Sequence, residues 1–329
     1  MKIGITTTIP VEIIYAAGHV PIDLNNSLVS SQIRDKLISS AEYSGYPRNI
    51  CGWIKGIYGS VIRMLEKENL STIIAVTQGD CSNTHALMET LELAGVRTIP
   101  FAFPYDRSRR ILKEQIDELA DKLGADWPKI RKWKKRLDDI RHLAHQIDFM
   151  TYDSLRFTGQ ENSLALINCS DFKSSPDIFE KELKEMLEKR KTQKRDDSLP
   201  RIGMIGVPPI MLDFHDTIEN YGSHIVFNEV QRQFAMPFDT DDILEQYLKY
   251  TYPYSVFQRL DDIDEQIKNR RIDGLVHYVQ SFCFRQIEDM IFRKKLDIPI
   301  LTIEGGDNFE TDERQKMRIQ AFVEMLARK

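Results

Sequence analysis

Hydrophobic and polar positions divide the chain into two alternating kinds of segment. Short runs rich in Ile, Val and Leu favour buried strands, and the longer stretches between them place apolar residues at helical spacing. Strands are predicted over Lys2–Thr8, His19–Leu24, Thr72–Val76, Arg97–Phe103, Ile202–Val207, Ile225–Asn228, Asp273–Val279 and Pro299–Glu304. Because helical segments separate most of these strands, the pattern predicts an α/β protein with parallel sheets covered by helices.

The helical segments complete this picture and indicate a division into two parts. They are predicted over Val11–Ala17, Ser30–Ser44, Gly52–Leu65, Ser82–Leu93, most of Ser108–Ser154, Phe179–Lys194, Leu212–Tyr221, Ile243–Arg270 with a break near Pro253, Phe284–Arg293 and Asp312–Leu326. The polar segment Arg195–Pro200 is typical of a linker. We therefore expect two doubly wound, Rossmann-like lobes facing each other across a cleft: residues 1–195, with a helical insertion over about 108–195, and residues 196–329.

Composition narrows the class of protein. The 329 residues are 42% hydrophobic and 29% charged, with a formal net charge of -5, which is typical of a globular protein and gives no reason to expect nucleic acid or a membrane surface as a partner. The apolar runs are shorter than the ~18 residues typical of a membrane span. No secretory signal pattern is present, so a cytoplasmic location is expected.

Three of the four cysteines stand at chemically similar places. Cys81 and Cys283 each follow a predicted strand and precede a helical pattern, and Cys51 opens the amphipathic stretch that begins at Gly52. A thiol in the first turn of a helix meets a positive dipole end, which favours the thiolate. Loops at the carboxyl ends of parallel strands form sites, so the three thiols could converge and bind soft iron as an iron–sulfur cluster. The alternative is that they are small buried hydrophobic residues, which is how we interpret Cys169.

Other candidate residues give weaker signals. No full GxGxxG and no Walker motif is present, so a built-in nucleotide site is not expected. His142 and His145 are interpreted as ordinary histidines, because nothing nearby completes a zinc site. Glu12 either complements the dipole of the first helix or handles a proton at the end of the first strand, and Glu304 has the same two interpretations.

Both ends of the chain resemble the 2-hydroxyacyl-CoA dehydratase family, which includes the 2-hydroxyglutaryl-CoA dehydratase D-component and benzoyl-CoA reductase subunits. The similarity lies in Pro10-Val11-Glu12-Ile13-Ile14-Tyr15-Ala16-Ala17-Gly18-His19-Val20-Pro21, in Asp273-Gly274, in Ile298-Pro299-Ile300-Leu301-Thr302-Ile303-Glu304, in Gln315-Lys316-Met317-Arg318-Ile319-Gln320-Ala321-Phe322, and in the settings of the three cysteines.

The resemblance implies a [4Fe–4S] cluster in the cleft between the lobes, with Cys51, Cys81 and Cys283 as ligands and Glu12 as a candidate catalytic residue. It implies a homodimer or a heterodimer with a related subunit, and an ATP-hydrolysing iron–sulfur activator protein as partner. The implied reaction is removal of water from an (R)-2-hydroxyacyl-CoA through a ketyl radical, in an anaerobic setting.

Two departures from the family keep other functions open. The chain is short for a dehydratase subunit, and Asn228–Arg232 lacks a cysteine that some relatives carry there. The alternatives are a benzoyl-CoA reductase-like subunit, an electron-transfer protein that carries a cluster without a substrate of its own, and a cluster-free binding module of the same fold.

Overall fold

The structure is a computed structural model that describes residues 1–192 and 195–328. Its strands are β1 (Lys2–Ile5), β2 (Val20–Asp23), β3 (Thr72–Gln78), β4 (Arg97–Ala102), β5 (Arg201–Gly206), β6 (His224–Asn228), β7 (Gly274–Gln280) and β8 (Ile300–Gly305). They form two four-stranded sheets, in the orders β2-β1-β3-β4 and β6-β5-β7-β8. Every neighbouring pair is parallel, which confirms the predicted α/β class with two Rossmann-like sheets.

Helices connect the strands, as parallel pairing requires. They are α1 (Val11–Ala16), α2 (Leu24–Ser30), α3 (Arg34–Tyr43), α4 (Gly52–Glu68), α5 (Thr84–Leu93), α6 (Arg109–Leu123), α7 (Trp127–Tyr152), α8 (Gly159–Ile167), α9 (Pro176–Lys189), α10 (Phe214–Asn220), α11 (Glu229–Phe234), α12 (Ile243–Lys249), α13 (Val256–Asn269), α14 (Asp289–Lys295) and α15 (Glu313–Ala327). Three short 3₁₀ helices cover Asn168–Ser170, Phe172–Ser174 and Phe284–Glu288.

Local signals set most helix boundaries. Asp312 begins α15 with a capping box that pairs it reciprocally with Gln315, and the hydroxyl of Ser108 accepts a hydrogen bond from the Ile111 N–H at the start of α6. Gly18 adopts a φ of 73° after α1, which ends the first helix where the sequence predicts a stop. The last two residues of the predicted helix Phe179–Lys194 lie outside the described residues.

The chain divides into two compact units that are discontinuous in sequence. The first comprises Met1–Arg141, Asn168–Phe179 and Met236–Ser255, and the second comprises the described residues of His142–Ile167, Glu180–Ala235 and Val256–Lys329. This division differs from the single boundary predicted at residue 195. The reason is pairing between distant segments: Tyr247 reaches Glu12 in the first unit, and Arg270 binds Asp148 in the second.

Each sheet has its own buried core. In the first unit, Ile73 and Ala75 on β3 pack with Ile54 and Val61 of α4. In the second, Leu275 on β7 packs with residues of α13, β5 and β6, including Leu260 and Val226. Among the described residues, no helix is both long and apolar enough to cross a membrane.

Candidate functional site

The carboxyl ends of the central strands are the places where a site is expected. In the first sheet β1 pairs with β2 on one side and β3 on the other, so the connections leave in opposite directions between β1 and β3. The second sheet has the same order, with β5 and β7 at the corresponding point. Crevices at such switch points bind ligands in open α/β sheets. Cys81 lies three residues after the end of β3, and Cys283 lies three residues after the end of β7.

Cys51 occupies the N-cap of α4 and is 6% exposed. The loop before it is held by Lys55, which lies one turn into the helix and has a fully buried side chain. The Lys55 ammonium donates to Glu42 Oε1 at 2.8 Å and to the Arg48 carbonyl at 2.9 Å. Because a buried ammonium is costly unless paired, these two contacts fix the path of the chain into Cys51.

Cys81 is partly exposed, in the turn between β3 and α5. The backbone N–H of Asn83 donates to Cys81 Sγ at 3.4 Å, a contact that stabilises negative charge on sulfur. Gly79 has a φ of 99°, and a Cβ at this position would lie 2.7 Å from Pro253 Cβ. Tyr252 donates its hydroxyl proton to Asp80 Oδ1 at 3.3 Å. Residues 252–253 therefore anchor the Cys81 turn within the first unit.

Cys283 is the N-cap of the 3₁₀ helix Phe284–Glu288 and is also partly exposed. That helix is tied down through Glu288, which accepts hydrogen bonds from Arg285 at 3.1 Å and from Arg259. Arg259 is fully buried and binds Glu229 through two bonds of 2.6 and 2.9 Å. Glu229 in turn accepts the Gly206 N–H at 3.0 Å. One arginine therefore links the loops that follow β5, β6 and β7.

Cys169 differs from the other three cysteines. Its thiol is 1% exposed, and burial raises its pKa to about 12, although the nearby Arg141 opposes this rise. A thiol in this state stays protonated at neutral pH and is a poor metal ligand. The geometry therefore agrees with its interpretation as a structural residue.

The donor chemistry of Cys51, Cys81 and Cys283 fits a soft iron centre, because each sulfur precedes a helical segment and none is in a disulfide. Cys51 and Cys81 belong to the first unit and Cys283 to the second. Within the residues that the structure describes, no three His, Cys, Asp or Glu side chains are grouped so as to hold a metal ion. The ligand set therefore stays a prediction.

Glu12 is fully buried, which the sequence did not indicate. It forms an ion pair of 2.8 Å with Arg141, which is 2% exposed, and accepts hydrogen bonds from Gln246 at 3.1 Å and Tyr247 at 3.0 Å. Arg141 also binds Asp138 at 2.8 Å. Because the Glu12 carboxylate has no exposed surface, a proton-handling role requires these contacts to open. That role stays a prediction.

The other candidates have hydrogen-bond partners that the structure shows. His145 pairs through Nε2 with the Ala235 carbonyl at 2.7 Å, and burial lowers its pKa, which fits its interpretation as a non-ligand. Glu304, at the end of β8, accepts a hydrogen bond from the hydroxyl of Ser281 at 2.8 Å.

Two positioning residues, Lys55 and Arg259, escaped the sequence interpretation. A signal was present for Lys55, since it is a lone charge inside the apolar stretch Gly52–Val61. No such signal marks Arg259, because it lies in the charged helix α13, where an arginine is expected to face solvent.

Asp23 and Asp171 form a pair of buried acids that the sequence patterns did not indicate. The Asp23 N–H donates to Asp171 Oδ2 at 2.8 Å, and the next three residues, Phe172 to Ser174, all have positive φ angles. Such a left-handed turn is strained for residues other than glycine. Two hydrogen bonds stabilise this turn. Asp171 Oδ1 accepts one from the Lys173 N–H at 2.9 Å, and the Ser174 hydroxyl donates the other to the Pro21 carbonyl at 2.7 Å.

Because of this acid pair, we expect the free energy of unfolding to depend on pH. Burial and the charge of Asp23 raise the pKa of Asp171 to about 7 from its usual 3.8, so the folded protein holds this proton more tightly than the unfolded chain. The stabilisation is fully present below about pH 4 and is lost as the pH rises through about 7. Between pH 5 and pH 7.5, the urea midpoint of the wild type should fall relative to that of Asp171→Asn. Asp177→Asn, at a position 90% exposed, is the control and should keep the wild-type slope. Parallel slopes for all three proteins would contradict the assignment.

Comparison with known protein families gives a match over most of the chain. No individually curated protein matches the chain. The family model described as 2-hydroxyglutaryl-CoA dehydratase, D-component, matches residues 6–326, a span that includes strands β2 to β8 and all four cysteines. It confirms the resemblance inferred from the sequence and indicates a dehydratase-type component of a system with several proteins. The chain belongs to the 2-hydroxyglutaryl-CoA dehydratase, D-component, family.

Proposed function

We propose that this protein is a subunit of an iron–sulfur (R)-2-hydroxyacyl-CoA dehydratase, a lyase. The observation that carries the proposal is the family match over residues 6–326, since it includes the loops of all three candidate ligands. In the proposal Cys51, Cys81 and Cys283 hold a [4Fe–4S] cluster. Three protein ligands leave one iron open, which suits Lewis-acid chemistry on a substrate oxygen.

The chemistry that such a cluster would supply when bound is delivery of one low-potential electron to the thioester carbonyl, after which the 2-hydroxyl group would leave as hydroxide, the β-proton would be lost to a base, and the electron would be recovered. The protein's own part is to hold the three sulfurs. Lys55 fixes the chain before Cys51, and residues 252–253 fix the turn of Cys81. Arg259 fixes the helix after Cys283. These buried polar anchors support the proposal because a metal site needs ligands that are oriented before the metal binds.

Membership of a component family supports partner proteins in general, and the specific partners are part of the proposal. The substrate is an acyl-CoA thioester, and an ATP-hydrolysing iron–sulfur protein supplies the activating electron. The second subunit is either another copy of this chain or a related one. A benzoyl-CoA reductase-like activity and a pure electron-carrier role are the competing functions.

The test of the proposed function is spectroscopic. Protein made without oxygen is expected to contain about four irons and matching sulfide per chain, the content of one [4Fe–4S] cluster. Adding a 2-hydroxyacyl-CoA should change the electron paramagnetic resonance or Mössbauer spectrum, because an open iron can accept a substrate oxygen. A spectrum that responds only to aromatic thioesters would favour the reductase. A cluster whose spectrum does not change with any thioester would indicate an electron carrier. Protein that contains no iron would support the cluster-free binding module.

A further inference from the structure

The two sheets are built by the same series of elements. The first series runs β1, α1, β2, three helices, β3, α5, β4, α6, and the second runs β5, α10, β6, three helices, β7, a helical pair, β8, α15. The three helices before β3 are α2, α3 and α4, and those before β7 are α11, α12 and α13. The fold is therefore an internal structural repeat, and each position in one series has a counterpart in the other.

The strand pairing fixes the alignment of the central strands. Gly4 pairs with Ile73 across β1 and β3, and Gly203 pairs with Leu275 across β5 and β7. In both cases a Cβ on the glycine would meet the side chain of its partner, at 3.0 Å for Ile73 and 2.7 Å for Leu275. Counting forward from Ile73 and Leu275 brings Gln78 opposite Gln280 and Cys81 opposite Cys283. The two partly exposed thiols therefore occupy the same position in the repeat.

The helices before these strands align independently. Cys51 immediately precedes α4, and Ser255 immediately precedes α13. Four residues further on, α4 carries Lys55 and α13 carries Arg259, and both of these basic side chains have no exposed surface. A fully buried cation at the same turn of each helix supports this register, since buried charges are rare. The counterpart of Cys51 is therefore Ser255.

Resting on the proposed function, we propose that Ser255 takes the fourth protein position around the cluster and leaves it open to substrate. The repeat offers two pairs of equivalent positions, and of these four positions three carry sulfur and the fourth carries a hydroxyl. A serine hydroxyl is a weak ligand for soft iron, whereas it donates a hydrogen bond readily to oxygen. Ser255 is partly exposed and so can meet a ligand. The ligand class is the oxygen of a 2-hydroxyacyl thioester.

A rescue experiment tests the position of Ser255 without using activity. Cys51→Ser is expected to lose most of its iron, and the double variant Cys51→Ser/Ser255→Cys is expected to regain it, because three thiolates are again present. Cysteine gives up its proton on binding, so the incoming ligand is a thiolate. The control is Cys51→Ser/Ser71→Cys, which places a thiol at an exposed residue before the amino end of β3 and should not regain iron. Failure of the first double variant, or equal recovery in both, would overturn the proposal.

The single variant Ser255→Cys tests whether Ser255 leaves one iron of the cluster open to substrate. It is expected to keep the wild-type content of iron and sulfide. Its spectral response to a 2-hydroxyacyl-CoA should be at least 10-fold smaller than that of the wild type, because a fourth thiolate would occupy the open iron. An unchanged response would refute the role of Ser255 while the proposed function stands. Absence of iron from the wild-type protein would instead remove the proposed function itself, so the two failures are distinguishable.

Discussion

Cys81→Ser protein, produced without oxygen, is expected to retain less than a tenth of the wild-type iron. Cys81 lies at the carboxyl end of a central strand, and its sulfur already accepts the Asn83 N–H at 3.4 Å. A serine oxygen is a poor ligand for the soft iron of a cluster, so this substitution would remove one of the three proposed ligands. Cys51→Ser and Cys283→Ser should behave alike. The measurement is iron and sulfide per chain, with folding followed by circular dichroism.

The matched control for this loss is Cys169→Ser. Burial raises the pKa of the Cys169 thiol to about 12, so it is not a thiolate at neutral pH. Its replacement should leave iron content within error of the wild type, at some cost in stability because a polar hydroxyl enters a buried site. Loss of iron from Cys169→Ser together with retention in Cys51→Ser would show that the ligand set is wrong.

The second large effect is expected for Glu12→Gln. If Glu12 handles a proton, turnover should fall by roughly 10²-fold or more, the usual scale for a general acid–base group. Iron content should be unchanged, because the amide nearly preserves the shape of the carboxylate. The substitution also removes one of two carboxylates that bind the buried Arg141, so some loss of thermal stability is expected.

Asp138→Asn separates catalysis from stability. Asp138 is the other carboxylate that binds Arg141, at 2.8 Å, but its side chain is 23% exposed. It also lies outside the family-like stretch Pro10 to Pro21. If Glu12→Gln slows turnover because Glu12 handles a proton, Asp138→Asn should lower the melting temperature without a comparable loss of turnover rate. Equal rate losses in both variants would assign Glu12 to positioning of Arg141. An unaltered rate in Glu12→Gln would remove it from the mechanism.

Sequence patterns predicted the strands well because each strand is a short apolar run bounded by turn residues. All eight predicted strands are present; β3 extends beyond its predicted end to Gln78, and β1 ends at Ile5 rather than at Thr8. Short helices that begin where a strand ends were missed, as for α2 after Asp23 and α11 after Asn228. Such helices have fewer than eight residues, so their apolar spacing does not repeat often enough to be recognised.

The candidate site was predictable only in its local part. The cysteines could be recognised because each stands beside a strand or helix boundary within a few residues. The anchor Arg259 could not be recognised, because Glu229 and Arg259 meet through tertiary packing that no local pattern reports. The same reason explains the unit boundaries, since Gln246 and Tyr247 lie in the first unit and form hydrogen bonds with Glu12, far away in the sequence.

The discontinuity of the first unit has a consequence during protein synthesis. Residues 236–255 complete that unit, and Gln246 and Tyr247 supply hydrogen bonds to the fully buried Glu12. At ~5–20 residues per second, a ribosome needs roughly 10 to 50 s to reach residue 255. Until then the nascent chain carries the Glu12 carboxylate without two of its partners, while the sheet around β1 and β3 already has all its strands. The first unit therefore cannot complete the hydrogen bonding of its interior until residues 236–255 have been synthesised.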